Sequence, residues 1–140
     1  MTLMDEGLSH VSFEAWDDPD VDEVGVAVDG PYSHTAWLPV LGATTWLVWG
    51  AVAARLGQDG RADCRLGELA PPWVLNPSVV AWSLDRLEAF GLATTTGESW
   101  AVRRVCPPLF DRQLARAPSR VRAMHHLTFT TEDAGPGDTA

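Results

Sequence analysis

"AWSLDRLEAFGLATTTGESWAVRRV", residues 81–105, decides how the chain is read. It opens inside a helix that starts just upstream at "NPS", where Asn76 can accept N–H groups of the first turn and Pro77 takes the first helical position, at which no N–H is needed. Val80, Leu84, Leu87 and Phe90 follow at steps of four, three and three, a spacing that lines one helical face. Gly91 stands just past the last of them, as a helix-ending glycine does. "LATTT" and "SWAVRRV" then read as two strands around a "TGE" turn, because Thr, Trp and Val favour strands and glycine supplies the turn geometry. A helix over 77–90 followed by a β-hairpin is the expectation.

Upstream, "LGATTWLVWGAVAARLG" (41–57) places Trp46, Trp49, Gly50, Ala53 and Leu56 at helical steps, with Thr44 or Thr45 near the start and Gly57 at the end. "QDGRAD" reads as a turn, "CRL" as a short strand, and "GELAPPW" as a short helix stopped by Pro71 and Pro72. Downstream, Pro107 and Pro108 break the chain before a basic helix in "LFDRQLARAPSRVRAMHH", which Pro118 can interrupt. The fold class expected is therefore mainly α with a small β-hairpin, of the α+β type.

Charge divides the chain more sharply than its formal net of −9 indicates. Residues 1–33 hold nine carboxylates, Asp5, Glu6, Glu14, Asp17, Asp18, Asp20, Asp22, Glu23 and Asp29, and no arginine. All ten cations are arginines between Arg55 and Arg122, so residues 34–131 carry a net charge of +3. Three regions follow: an acidic, largely disordered arm over 1–33, a folded domain over 34–126, and a flexible acidic tail over 127–140. Within the arm, Asp18, Asp20, Asp22 and Asp29 fall on spacings of a calcium loop, but Glu23 stands where that loop needs glycine and Val26 at its ninth position. No metal site is expected there.

"LDRLEAFGLA" (84–93) resembles the end of the recognition helix and the first wing strand of MarR-, ArsR- and GntR-like bacterial regulators. "WLPVLG" (37–42) with "VCPPLFDRQLARAPSRVRAMH" (105–125) is similar to small actinobacterial winged-helix proteins. The resemblance covers about residues 34–126. It implies a winged helix-turn-helix with an extra C-terminal helix, and a transcriptional regulator that binds duplex DNA, as a homodimer through its first or last helix. In such regulators the outward face of the third helix meets base edges and phosphates. The DNA-binding candidates are accordingly Asn76, Ser78, Val79, Trp82 and Arg86, with Arg103 and Arg104 beyond the wing. The wing tip, Thr96, Gly97 and Glu98, lacks the cation that enters a minor groove. Arg112, Arg116 and Arg120, at four-residue spacing with Arg122 nearby, form a basic stripe that can follow phosphates or hold the acidic arm in an autoinhibitory contact.

An alternative comes from the same residues. Asp85 is unfavourable beside phosphate, whereas Val79, Trp82 and Trp73 suit a protein partner, making the chain a non-catalytic adaptor with the arm as a further contact. Catalytic residues and cofactors are not expected: there is no Gly-rich phosphate loop, no nucleophile elbow and no His-Glu metal helix. Adjacent His125 and His126 point about 100° apart on a helix, a poor geometry for one ion. Trp37, Trp46, Trp49 and Trp100 read as core, or as the lining of an effector pocket between the first and last helices. Cys64 and Cys106 are isolated and fit a reduced compartment. "MTLMDEGLSH" has neither the basic nor the apolar region of a signal peptide, and no apolar run reaches membrane-spanning length, so a cytoplasmic location without membrane contact is expected.

Overall fold

The computed structural model describes residues 10–57, 59–74 and 76–130. The chain is a mixed α+β protein that divides into two compact units, each built from two separate stretches of chain. The first comprises residues up to Asp17 together with Leu41–Arg104, and the second Asp18–Val40 together with the residues from Val105 onward. These boundaries differ from the expected one at residue 33, and residues 131–140 of the expected tail lie outside the described residues.

The first unit holds a four-stranded sheet. Strand β1 is His10–Ala15, β2 is Arg61–Arg65, β3 is Ala93–Thr96 and β4 is Ser99–Val102, in the order β2-β1-β4-β3. Strand β1 runs antiparallel to β2 and parallel to β4, so a segment placed by its charge in a disordered arm is a central strand. The reason lies in its alternation. Phe13, opposite Ala62 and Trp100, is only 3% exposed. Its neighbours project from the other face, where Glu14 lies opposite Arg61 and the Ser12 hydroxyl donates to the Asp63 carboxylate. Carboxylates on that face need no burial, and enclosing one phenylalanine contributes about 1.5–3 kcal/mol. The sheet is thus larger than the hairpin and short "CRL" strand expected, and β2 begins at Arg61, inside the segment read as a turn.

Helix α1, Ala43–Leu56, packs on β1, β2 and helix α2, Ser78–Ala89. Its buried stripe is Thr45, Val48, Trp49, Val52 and Leu56, so Trp49 and Leu56 are core as expected, while Trp46 is only half-buried. The "GELA" helix is a 3-10 turn, Leu66–Leu69, closed where the Arg65 N–H donates to Glu68 Oε2 at 2.6 Å. Helix α2 buries Val80, Ser83, Leu84 and Leu87. It ends as the glycine signal indicates: Gly91 has φ +79°, its N–H donates to the Glu88 carbonyl, and the Leu92 N–H donates to the Leu87 carbonyl at 2.8 Å. Gly97, at φ +67°, turns the β3-β4 hairpin.

In the second unit, Val26 and Cys106 exchange backbone hydrogen bonds of 3.0 and 2.7 Å in an isolated antiparallel bridge. Gly25 is required there, since a Cβ would overlap the Val105 side chain. The segment Ser33–Trp37 forms a π-turn in which Trp37 is fully buried, donating from Nε1 to the Pro107 carbonyl at 2.8 Å with its ring edge-on to Phe110. Two short helices follow, α3 (Asp111–Arg116) and α4 (Ser119–His125), and a second π-turn, His126–Thr130, extends α4. Between them Ala117 and Pro118 are extended, with ψ 149° and 157°.

Candidate interaction surface

Of the residues expected to meet DNA at α2, Asn76, Ser78 and Arg86 are engaged within the protein, whereas Trp82 is exposed and Val79 half-buried. Asn76 Oδ1 accepts the Ser78 N–H at 2.9 Å and the Ser78 hydroxyl at 2.6 Å, which satisfies an otherwise orphaned donor at the helix start. Both groups are used in capping. Arg86 reaches back from the outer face to donate from Nη2 to the Leu41 carbonyl at 3.3 Å, and its guanidinium lies 5.0 Å from the Trp82 ring and 5.2 Å from the Phe90 ring. It is a brace between α2 and the entry to α1.

The two arginines that follow β4 are held as well. Arg103 is 6% exposed: its Nε donates to the Gly91 carbonyl at 2.9 Å, and the guanidinium lies 3.9 Å over the Trp16 ring. Its own carbonyl accepts the Trp49 indole N–H at 2.8 Å. Arg104 donates from Nη1 to the Gly57 carbonyl at 2.9 Å and lies 3.8 Å from the Asp17 carboxylate. Two of these three arginines donate to the carbonyl of a glycine with positive φ, Gly57 or Gly91, and Arg86 donates to Leu41, which precedes the positive-φ Gly42. Backbone that turns through such conformations presents carbonyls without helical partners, and a guanidinium is suited to bind them while stacking on an aromatic ring.

The basic stripe is not continuous. Arg112 and Arg116 lie on α3 and Arg120 on α4, and the extended Ala117–Pro118 linker breaks the four-residue register that the stripe assumed. Proline cannot donate within a helix, so the chain restarts rather than continuing. All three arginines are exposed. The spaced aspartates of the calcium pattern also take another form, since Pro19–Asp22 is a helical turn in which Asp22 accepts the Asp18 N–H at 3.2 Å. No cluster of three or more His, Cys, Asp or Glu placed to hold a metal occurs among the described residues. Nor is any helix among them long and apolar enough to cross a membrane.

Beside the exposed carboxylates Asp85 and Glu88, α2 also turns a large apolar side chain outward. Trp82 is 53% exposed and Val79, one turn earlier on that face, is half-buried. Trp73, in the turn before the helix, is 58% exposed and donates from Nε1 to Thr44 Oγ1 at 3.3 Å. Thr45, next along α1, donates to the hydroxyl of Ser83, the neighbour of Trp82, at 3.3 Å. Both tryptophans therefore flank the first turn of α1, where Leu47 is also exposed, one helical turn from Thr44. Sequence reasoning singled out Val79, Trp73 and Trp82 but missed Thr44 and Leu47, whose three-residue spacing on α1 was the available signal. A scan of protein-family models finds no match to this chain, and searches of curated proteins and of solved structures find none either.

Proposed function

We propose that the chain is a non-catalytic, protein-binding adaptor whose working surface joins α2 to the start of α1 and carries Trp73, Val79, Trp82 and Leu47. The fold proposed with it is a winged helix. Helix α1, strand β2, the Leu66–Leu69 turn, helix α2 and the β3-β4 hairpin follow one another in the order of that fold, with β1 inserted between β2 and β4. Recognition would then use the face that related regulators turn to DNA.

The observation that carries this reading is a contrast within the first unit: Trp82 on α2 and Trp73 just before it are each more than half exposed, while Arg86, Arg103 and Arg104 bind the protein's own carbonyls. Duplex affinity depends on cations free to meet phosphate. Protein interfaces instead draw their energy from aromatic anchors, each able to bury about 150–250 Å². A second reading, binding to duplex DNA, is favoured by one observation, the exposure of Arg112, Arg116 and Arg120 on α3 and α4.

A photo-crosslinking amino acid placed at Val79 in the full chain, irradiated in an extract of the source cells, tests the adaptor reading. Discrete protein adducts that disappear when W73A and W82A are added to the same chain are the expected result. Adducts indifferent to those substitutions, or lost on nuclease treatment, would overturn it; an adduct of twice the chain mass would identify the partner as a second copy, giving the dimer.

A further inference from the structure

Tyr32 is 2% exposed, and its hydroxyl is held on two sides. The oxygen accepts the Leu109 N–H at 2.8 Å, and 2.8 Å away lies Nδ1 of His125, the last residue of α4. The oxygen already accepts one N–H, and the arrangement that gives the phenolic proton an acceptor pairs it with Nδ1 of a neutral His125 whose own proton is on Nε2. Phe129 closes the group, edge-on to Tyr32 at 4.8 Å and tilted at 5.2 Å from His125. Beside this cluster is an apolar cleft of about 210 Å³ between the segment 26–32 and α4 with its extension, lined by Val26, Ala27, Pro31, Tyr32, Met124 and Thr128.

We propose that the Tyr32–His125 pair is a proton-sensitive latch that holds the end of α4 against the segment 26–32 beside this apolar cleft, and releases when His125 is protonated. A protonated imidazole presents N–H where the phenol needs an acceptor. Two donors would then face one oxygen while the phenolic proton is stranded in a buried site, and a buried unsatisfied donor is disfavoured enough to drive rearrangement.

The surroundings agree in direction. Burial is the main influence holding the imidazole below its ordinary value of 6.5, and neighbouring His126 adds to it, while Asp111 at the start of α3 pulls the other way without prevailing. The turn Ser33–Trp37 packs against α4 and contributes one titratable group, His34. On the Tyr32 side, burial raises the phenol to about 12, and the buried Cys106 thiol is also raised to about 12, so neither takes charge as His125 titrates. The sign follows from a folded-state value below the unfolded one. Above about pH 6.5 both states are neutral and the latch contributes fully. As the pH falls below that, the unfolded or released state takes up the proton first and stability is lost, until His125 itself is protonated in the folded state.

The test is NMR titration of the histidine rings in the full chain, with amide hydrogen exchange over residues 119–130 measured in parallel and corrected for intrinsic pH dependence. Expected are a His125 titration below 6.5, faster exchange over 119–130 through the same pH range, and an upward move of the His125 titration in Y32F. H125N, which has no titrating group at this position, is expected to lose the pH dependence of exchange. A His125 titration at or above 6.5, exchange over 119–130 that ignores pH, or an unmoved titration in Y32F would each overturn the latch.

Discussion

One set of arginines and tryptophans in the first unit contrasts with a set of arginines and aromatics in the second. In the first, Arg86, Arg103 and Arg104 are spent on backbone carbonyls of the same unit, while Trp73 and Trp82 face solvent. In the second, Arg112, Arg116 and Arg120 are exposed, while Tyr32 and Trp37 are buried and hydrogen-bonded to Leu109 and Pro107. Residue type alone would assign the recognition surface to the arginines beside the β3-β4 hairpin. Geometry assigns those arginines to holding turns together, and leaves Trp73 and Trp82 outward.

That contrast breaks most severely at Trp49. Its ring fills the core of the first unit and its N–H satisfies the Arg103 carbonyl, so Trp49→Ala is expected to cost about 3–5 kcal/mol, read as a lowered denaturation midpoint. Next in size is Arg103→Ala, which removes the donor to Gly91 and uncovers Trp16. A loss of about 2–3 kcal/mol is expected in chemical denaturation, where an arginine kept for nucleic acid would leave stability nearly unchanged. Asn76→Ala should lower stability by about 1 kcal/mol through the lost cap, and Asn76→Asp, which retains the acceptor, should recover most of it. Smallest of all, Trp82→Ala is expected to change stability by no more than about 0.5 kcal/mol, because more than half of its surface is already in water. A large loss at Trp82 would make it a structural residue and remove the contrast.

The parts of this fold that were legible in the chain are those settled locally. Asn76 and Pro77 at one end of α2 and Gly91 at the other are signals within one helix, and each occupies the role its chemistry indicates. Strand β1 was not legible, because six residues of alternation have no partner nearby in sequence: β2 begins 46 residues after the end of β1, and β4 follows only after that. The acidic surroundings outweighed Phe13 in the reading, whereas in the fold the charges simply take the other face. Arg103 and Arg104 were recognisable as cations, but the carbonyls they meet are created by distant turns at Gly91 and Gly57. The stripe of Arg112, Arg116 and Arg120 depended on Pro118, and the linker is extended there. Exposure of Trp82 was legible, since it lies off the Val80, Leu84 and Leu87 spine.

The most direct measurement is a chemical-shift titration of the ¹⁵N-labelled full chain with duplex DNA at low salt, following the amides of residues 76–86 and the Trp82 indole. The expected result is that these signals stay in place, because the capping groups and Arg86 are already engaged within the protein. Shifts centred on Asn76, Ser78 and Arg86 that fade as salt is raised would show α2 meeting phosphate, and would contradict the assignment of this face to a protein partner.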